Sequence, residues 1–324
     1  MSPTERLQSV LVALAALAGL GTGLLWPVGP AAGHLVLPAL LVMLTAVFLQ
    51  MDAAQVGAVR RAGAVVAASL VLNFLFTPAL AWALGAGLLG DKPDLRIGLL
   101  LLLVTPCTDW YLVFTAMARG HTGIAAALLP VNLVLQLVLL PVYVLLLGGQ
   151  ATTIGAAGLT ESVLLVLLAP LTAALVLRRT TGRFKGADWR RRRLAAPAGR
   201  LVLPLLCLAV AAMFAGQARN VTEHATDLIA LFVPLGIFFT VLPLTATGVS
   251  RLLRLPAPQR VTLTMTVTAR NSPLALALAV AAFPDRPLIA VALVVGPLLE
   301  LPLLTVIAQL ARVREYPPAR ADTP

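Results

Sequence analysis

The sequence predicts an all-α polytopic membrane protein with ten transmembrane helices. The chain of 324 residues is 60% hydrophobic and only 11% charged, whereas a soluble domain carries about 25% charged residues. Its mean hydropathy is +0.96. Apolar runs long enough to cross the roughly 30 Å hydrocarbon core of a bilayer recur along the whole chain. This composition excludes a soluble globular protein.

Ten spans follow one another in the sequence, and each is an apolar run bounded by polar or charged residues. They cover residues 7–26, 34–50, 63–84, 96–117, 122–147, 160–177, 201–216, 227–250, 261–283 and 287–310. The first run lacks a strongly basic leading segment and ends in Trp26-Pro27 rather than in a small-residue cleavage site. It is therefore predicted to be a retained span and not a signal peptide.

The distribution of positive charge predicts the orientation of these spans. With the N-terminus inside, nineteen of the 24 Lys and Arg residues fall in cytoplasmic segments, four fall in outer loops, and Arg270 lies within a span. This bias predicts a multi-pass protein of the cell membrane with both termini in the cytoplasm. The same pattern explains the net charge of +11 without a nucleic-acid partner.

Nine of the cytoplasmic charges lie in a single segment at residues 178–200, which includes a run of four arginines at 190–193. We predict that this segment is a loop linking two halves of the protein. Binding of anionic lipid headgroups is the alternative interpretation.

An internal repeat divides the chain into two halves. An ungapped offset of 164 residues places Cys107 on Asn271, Asn132 on Gly296, and Gln136 on Glu300; one residue out of phase, Pro78 matches Pro243. The predicted organisation is a first repeat at 1–177, the basic linker at 178–200, a second repeat at 201–310 and a cytoplasmic tail at 311–324. Because each repeat holds five spans, the second is inverted relative to the first. Inverted repeats are common in secondary transporters, whose sites lie near the midplane.

The fourth and ninth spans are each interrupted by a polar run that contains a proline. The fourth span reads Thr105-Pro106-Cys107-Thr108-Asp109, and the ninth reads Ala269-Arg270-Asn271-Ser272-Pro273. Proline removes a backbone hydrogen bond and clashes with the preceding turn, so Pro106 and Pro273 are predicted to break their helices. Backbone that leaves a helix inside a bilayer is buried in protein or lines a wet cavity. The two breaks are therefore the predicted binding site.

Three ionisable residues are predicted to lie deep in the membrane: Asp109, Arg270 and Glu300. Each costs roughly 2.5 to 3.5 kcal/mol at a helix centre, so each requires a partner or water. Arg270 and Asp109 sit at opposed breaks, where they either pair with each other or serve the solute. Glu300 is a candidate proton carrier or cation ligand; the alternative is a carboxyl group held by hydrogen bonds to the broken ninth span.

The two cysteines differ in their surroundings. Cys107 follows a helix-breaking proline beside the free N–H groups of a new helix start, where a thiolate is favoured. A soft thiolate suits a thiophilic solute. Cys207, between Leu206 and Leu208, is predicted to be an apolar filler.

Other polar residues at membrane depth are Asn73, Asn132 and Gln136, which could contact a ligand or join helices to one another. The three histidines, His34, His121 and His224, fall at span edges without acidic or cysteine partners at metal-ligand spacing. No metal site and no cofactor are predicted; the coupling ion of a transporter would be H⁺ or Na⁺.

At these motifs the chain resembles the bile acid:sodium symporter superfamily, and within it the arsenical-resistance permeases that export arsenite. The matching stretches are residues 105–108, 269–275 and 295–302. The resemblance implies that the fourth and ninth helices are broken and cross at mid-membrane. It also implies two domains that move against each other with the site between them, and it makes Cys107 the residue needed for arsenite transport.

The sequence departs from this family at one point. The arsenite permeases usually carry a glutamate in the ninth-span break, where this chain has Pro273 or its neighbours. Asp109 and Glu300 are the carboxylates available to replace it.

The predicted function is a secondary active transporter that exports arsenite or a related oxyanion in exchange for protons. The predicted substrate-binding residues are Cys107, Thr108, Asn271, Ser272 and Arg270, and the predicted ion-coupling residues are Glu300, Asp109 and Gln136. The predicted partners are a small inorganic or organic anion and the lipid bilayer; the oligomeric state is not indicated.

The first alternative is sodium- or proton-coupled transport of an organic anion, with Arg270 as its counter-charge. A distant alternative is an intramembrane enzyme. A prenyltransferase would need two acidic clusters for magnesium and diphosphate, and Asp91 with Asp94 supplies only one weak candidate.

Overall fold

The computed structural model describes residues 3–26, 29–50, 62–107, 110–147 and 156–315, which are almost entirely helical. The helices of the first half are α1 Pro3–Leu25, α2 Gly29–Gln50, α3 Gly63–Val71, α4 Thr77–Leu88, α5 Pro93–Val104, α6 Trp110–Met117 and α7 Thr122–Leu147. Those that follow are α8 Ala156–Arg190, α9 Ala196–Gly216, α10 Ala218–Glu223, α11 Ala225–Ile229, α12 Phe232–Leu252, α13 Ala257–Thr268, α14 Ser272–Ala282 and α15 Pro287–Glu315. Two π-helical turns, Leu72–Phe76 and Arg191–Ala195, join α3 to α4 and α8 to α9.

Within the described residues, five helical segments are long and apolar enough to cross a membrane. They are Ala31–Gln50, Gly63–Leu88, Leu164–Thr181, Arg193–Gly216 and Ala225–Leu252. A sixth is added if the two parts of α7, Thr122–Gln136 and Val138–Leu147, form one span bent by 52°. The all-α, multi-pass class is thus confirmed, whereas the number of ten spans stays a prediction.

The predicted fourth and ninth spans fall short of this length because each consists of two short helices. The fourth comprises α5 and α6, with 12 and 8 residues. The ninth comprises α13 and α14, with 12 and 11 residues. A helix of 12 residues is only about 18 Å long, which is less than the bilayer's hydrocarbon thickness.

The basic segment 178–200, expected to be a loop, is helical. Helix α8 continues to Arg190, the π-helical turn Arg191–Ala195 follows, and α9 begins at Ala196. Arginine, lysine and alanine are good helix formers, and the proline of the segment, Pro197, lies in the first turn of α9, where a missing N–H is tolerated. The prediction of a loop is wrong, because α8 continues through Gly182 and Gly186 to Arg190, and Pro197 falls where a helix tolerates it.

Two groups of helices surround the broken segments. Helices α1 and α2 both pack against α9, and α2 also contacts α8 and α14. Helix α5 packs on α4, α7 and α15, while α13 packs on α12, α6 and α15. The inner ends of α5 and α13 are fully buried, with Val104 and Val267 both at 0% exposure. The breaks therefore lie inside protein and not against lipid.

Helices α1 and α9 approach each other closely at two glycines. A Cβ atom at Gly19 would lie 2.2 Å from the carbonyl oxygen of Ala211, and one at Gly23 would lie 2.3 Å from that of Ala215. Small residues four positions apart allow this backbone contact between membrane helices.

Replacing Gly19 with alanine is therefore expected to destabilise the protein by roughly 1 to 3 kcal/mol, because the added methyl group pushes α9 away. The matched control is Gly21→Ala on the same helix, since a Cβ there meets nothing within 4 Å. The check is the thermal unfolding temperature of both variants in detergent. Equal unfolding temperatures would contradict the close approach of α1 and α9.

Candidate functional site at two crossing helix breaks

The first break lies between Val104, the last residue of α5, and Trp110, the first residue of α6. Thr105 is extended, with φ −100° and ψ 95°, because a residue before proline is disfavoured in the helical conformation. The Thr105 hydroxyl donates to the carbonyl oxygens of Leu101 and Leu102, at 2.9 and 3.1 Å. The Thr105 hydroxyl thus donates to two carbonyl groups in the last turn of α5.

The second break lies between Thr268, the last residue of α13, and Ser272, the first residue of α14. Ala269 is extended, with φ −72° and ψ 138°. Asn271 caps α14, since its side-chain oxygen accepts from the Leu274 N–H at 3.1 Å. Pro273 occupies the first turn of α14, where its missing N–H costs nothing. The break thus precedes Pro273, which helps to start the new helix.

The two breaks cross and hydrogen-bond to each other. The Cys107 N–H donates to the Ala269 carbonyl oxygen at 3.1 Å, and the Asn271 N–H donates to the Thr105 carbonyl oxygen at 2.8 Å. Pro106 and Arg270 face each other as an antiparallel pair. Since lipid offers backbone groups no partner, each break supplies the hydrogen bonds that the other has lost by leaving the helix.

Arg270 holds this crossing together from inside. Its side chain is among the largest fully buried ones, with the residue at 1% exposure. The guanidinium donates to the Leu103 carbonyl oxygen and to the Asn73 side-chain oxygen, both at 2.8 Å. It also donates to the carbonyl oxygens of Val267 and Thr268. These carbonyls lie at the C-terminal ends of α5 and α13, where a cation is favourable.

The position of Asn73 explains how the third predicted span reaches Arg270. Asn73 is fully buried and lies in the π-helical turn Leu72–Phe76. The extra residue in such a turn displaces backbone groups, and the Phe74 carbonyl accepts from the Tyr143 hydroxyl of α7 at 2.6 Å. Bulges of this kind are frequent at functional sites.

Glu300 of α15 binds the backbone and a side chain of the second break. Its carboxylate accepts from the Arg270 backbone N–H at 2.6 Å and from the Ser272 hydroxyl at 3.2 Å. It thus places a negative charge at the N-terminal end of α14, which is favourable. The residue is 4% exposed, and the Arg270 charge acts on it electrostatically. The break therefore contains a cation and an anion of the protein's own.

Cys107 lies at the centre of the crossing and is fully buried. It packs in an apolar cluster with Tyr111 of α6, Leu129 of α7 and Ala269 of the other break. Cys207 is partly exposed and packs in a separate cluster.

Two further predicted residues, Asn132 and Gln136, lie on α7. Both are fully buried, and neither amide group has a hydrogen-bond partner among the described residues. A buried polar group left unpaired costs about 1 to 3 kcal/mol. Helix α7 bends directly after Gln136. An amide pair of this kind is suited to a polar ligand or water.

The threonines of α13 do not add polar groups to the site. Thr262, Thr266 and Thr268 are fully buried, and their hydroxyls donate to carbonyl oxygens one turn earlier in the same helix. Thr108 and Asp109 lie outside the described residues, so their predicted roles, including a pair of Asp109 with Arg270, stay predictions.

No metal cluster is found in the part of the chain that the structure describes: no three His, Cys, Asp or Glu residues come together there. Asp94, considered above as a magnesium ligand, instead pairs with Arg286. His121 donates its backbone N–H to the Pro258 carbonyl at 3.1 Å.

Apolar helices long enough to cross a bilayer, together with two broken helices that cross around buried polar groups, are typical of secondary transporters. Residues 37–224 match the model of the sodium bile acid symporter family. Since this match covers more than half of the chain, the protein belongs to that family. The family expected from the three motifs is confirmed.

Three relatives were found in a comparison with known proteins. The arsenical-resistance protein Acr3 of Corynebacterium glutamicum is 28% identical over 73% of this chain and 66% of its own length. The uncharacterized transporter slr0944 of Synechocystis is 23% identical over 76% of this chain and 66% of its own length. The uncharacterized protein YbaS of Bacillus subtilis is 22% identical over 72% of this chain and 74% of its own length. The chain thus spans about two thirds of the length of Acr3 and of slr0944.

Proposed function

We propose that this protein is a secondary active transporter of the cytoplasmic membrane that exports arsenite or a related oxyanion by proton antiport. The observation that carries the proposal is the position of Cys107, fully buried where the two helix breaks cross. The name of the Acr3 relative supports the substrate. Thiolate sulfur is a soft ligand, and soft ligands suit thiophilic elements such as arsenic(III).

The repeat gives Cys107 a specific place in the site. With the offset of 164 residues, Cys107 corresponds to Asn271, whose side chain caps α14. By this equivalence the sulfur lies on the N-terminal side of α6, whose first residue is Trp110. A thiolate is stabilised at such a position, and this favours Cys107 as the solute ligand.

Ten spans in two inverted repeats, with both termini cytoplasmic, are part of the proposal. The crossing supports it, because Pro106 and Arg270 are paired and differ by the repeat offset. The two backbone bonds also exchange under that offset: Cys107 to Ala269 becomes Asn271 to Thr105. The proposed units remain 1–177, 178–200, 201–310 and 311–324.

Alternating access would move the helices around Cys107 relative to one another. In the first group, α1 and α2 both pack against α9. It meets the broken helices through α2 and α14. Movement of one group against the other would open the buried crossing to each side of the membrane in turn.

Glu300 is the proposed coupling residue. It is a buried carboxylate that binds the backbone of the second break and the Ser272 hydroxyl. Protonation would remove the charge that Arg270 and the helix end stabilise, and would thus alter the crossing. Gln136 is a neutral amide and carries no proton, so its predicted coupling role applies only to a cation such as sodium, and Asp109 stays a second candidate.

The rival function is cation-coupled transport of an organic anion, in keeping with the family's name. A groove of about 410 Å³ between α12, α13 and α15 would hold the apolar body of an amphipathic anion; its polar end carries Arg314 together with Arg260, which pairs with Glu315. Arg270 supports it less, since its guanidinium is bonded to protein carbonyls and to Asn73. An intramembrane enzyme remains a distant alternative in a family of transporters.

The test is uptake by everted membrane vesicles energised by a proton gradient, in comparison with a sodium gradient. We expect proton-driven arsenite accumulation by the wild type. Uptake of a bile acid driven by sodium, without arsenite uptake, would favour the rival.

The variant Glu300→Gln separates coupling from binding in the same vesicles. The amide keeps an acceptor for the Arg270 N–H but cannot release a proton. We expect proton-driven accumulation of arsenite to be lost, because the amide carries no proton across the membrane, whereas arsenite exchange between the two sides at equal pH persists. Proton-driven accumulation at the wild-type level would exclude Glu300 as the coupling residue.

A further inference from the structure

Two amide side chains on α7 are buried without partners in the part of the chain that the structure describes. Asn132 and Gln136 are one helical turn apart, and both are at 0% exposure. All four of their polar side-chain atoms lack a hydrogen bond. Buried polar groups are almost always satisfied by protein or by ordered water, so an unsatisfied pair calls for an occupant.

The face of α7 that carries these amides is the one that faces Cys107. Ala125 and Leu129 lie in the same apolar cluster as Cys107, and Ala125 accepts from the Tyr111 hydroxyl of α6 at 2.5 Å. Residues 125, 129, 132 and 136 form one stripe of a helix. Asn132 and Gln136 therefore continue the surface that contacts Cys107 and α6.

The repeat places the amides at the same break. Gln136 corresponds to Glu300, which binds the Arg270 N–H and the Ser272 hydroxyl. The residue equivalent to Arg270 is Pro106, and proline has no N–H to donate. Gln136 thus lacks the backbone partner that its counterpart uses.

The equivalent of Asn132 is Gly296, where an added Cβ atom would lie 3.0 Å from the Ser272 hydroxyl oxygen. The first half therefore carries an amide side chain at this position, whereas the second half has a glycine and no side chain. Among the described residues, the two halves of the crossing differ in their buried polar groups: the second holds the Glu300 carboxylate, and the first holds two neutral amides.

We propose that Asn132 and Gln136 form a subsite beside Cys107. This subsite would form hydrogen bonds to the hydroxyl groups of a small, uncharged trihydroxide. This rests on the proposed function, in which arsenite is the solute, and arsenite in neutral water is the uncharged trihydroxide. Each amide offers donors and an acceptor, as does each hydroxyl group. An anion would instead require a free cation, and the Arg270 guanidinium is bonded to protein groups.

The first test measures arsenite uptake by Asn132→Leu and Gln136→Leu, which replace each amide with an apolar side chain and remove the hydrogen bonds. We expect the KM for arsenite to rise about tenfold in each variant. We also expect the unfolding temperature to stay at or above that of the wild type, because an unsatisfied polar group has been removed. The matched control is Gln309→Leu, because Gln309 is an exposed amide on α15. We expect the KM of this variant for arsenite to be unchanged.

A structural role would give the opposite pattern. If the amides only join helices, both leucine variants unfold at lower temperature and their KM for arsenite is unchanged. That result would overturn the subsite.

Boric acid provides a second test that does not depend on arsenite transport. It is a neutral trihydroxide with no affinity for thiols. We expect it to raise the unfolding temperature of the wild type and of Cys107→Ser, but not of the double variant with leucine at both positions. Equal effects on all three proteins, or no effect on the wild type, would overturn the subsite. A wild type that is stabilised by boric acid but does not transport arsenite would refute the proposed function and support the subsite.

Discussion

Replacing Cys107 with serine is expected to abolish arsenite uptake into everted vesicles, to the level of vesicles without the protein. Serine has nearly the same size and can still occupy the buried position between Tyr111 and Ala269. The substitution replaces a soft sulfur ligand with a hard hydroxyl oxygen. The hydroxyl oxygen binds arsenic(III) far less well than a thiolate sulfur does. The backbone N–H of residue 107, which donates to Ala269, is unaffected.

The matched control for this variant is Cys207→Ser, because Cys207 lies on α9 in a different cluster. We expect it to transport arsenite at the wild-type rate. Both variants should insert into the membrane in equal amounts, which immunoblotting of the vesicles measures. Uptake by Cys107→Ser at the wild-type rate would show that the sulfur does not contact the solute.

Replacing Arg270 with glutamine is expected to destabilise the protein by about 3 to 5 kcal/mol and to reduce the amount of folded protein in the membrane. These are the losses found when one member of a buried charged network is removed. The variant leaves the carbonyl groups of Leu103 and Val267 without their donor. It also leaves the Glu300 carboxylate without a buried cation. The check is thermal unfolding in detergent.

Two further variants define the role of Arg270. Arg270→Lys restores the charge but not the planar set of donors, so we expect it to recover only part of the stability. Arg251→Gln, at an exposed position near the end of α12, is the control and should unfold like the wild type. An Arg270→Gln protein of wild-type stability that fails only to transport organic anions would favour the rival function.

The overall class and the location of the breaks follow from local sequence signals. Composition and apolar run length predict membrane helices, and Pro106 disfavours a helical Thr105. A lone proline does not say on which side of itself the helix ends, however. Pro273 starts α14 because Asn271 caps that helix, and the cap decides the boundary. The basic segment at 178–200 is helical and not the expected loop, because a charge pattern indicates topology and not secondary structure.

The contacts of the site depend on tertiary structure that the sequence does not display. The sequence makes Glu300 and Arg270 candidate site residues only because they lie deep in the membrane. The hydrogen bond from the Arg270 backbone N–H to Glu300 requires α15 to lie against the second break. Asn73 reaches Arg270 from a π-helical turn that no residue pattern announces. The repeat offset is the long-range signal in the sequence, and it makes Pro106 equivalent to Arg270, the residue that faces it at the crossing.

The most direct test of a solute site at the crossing is protection of Cys107 from alkylation. The chain contains two cysteines, so in the Cys207→Ser variant a maleimide can label only Cys107. Because Cys107 is buried in this conformation, its labelling requires the crossing to open. We predict slow labelling in vesicles that arsenite suppresses and that sodium sulfate does not, with no suppression after unfolding in dodecyl sulfate. Labelling of the folded protein at the same rate with and without arsenite would contradict a solute site at Cys107.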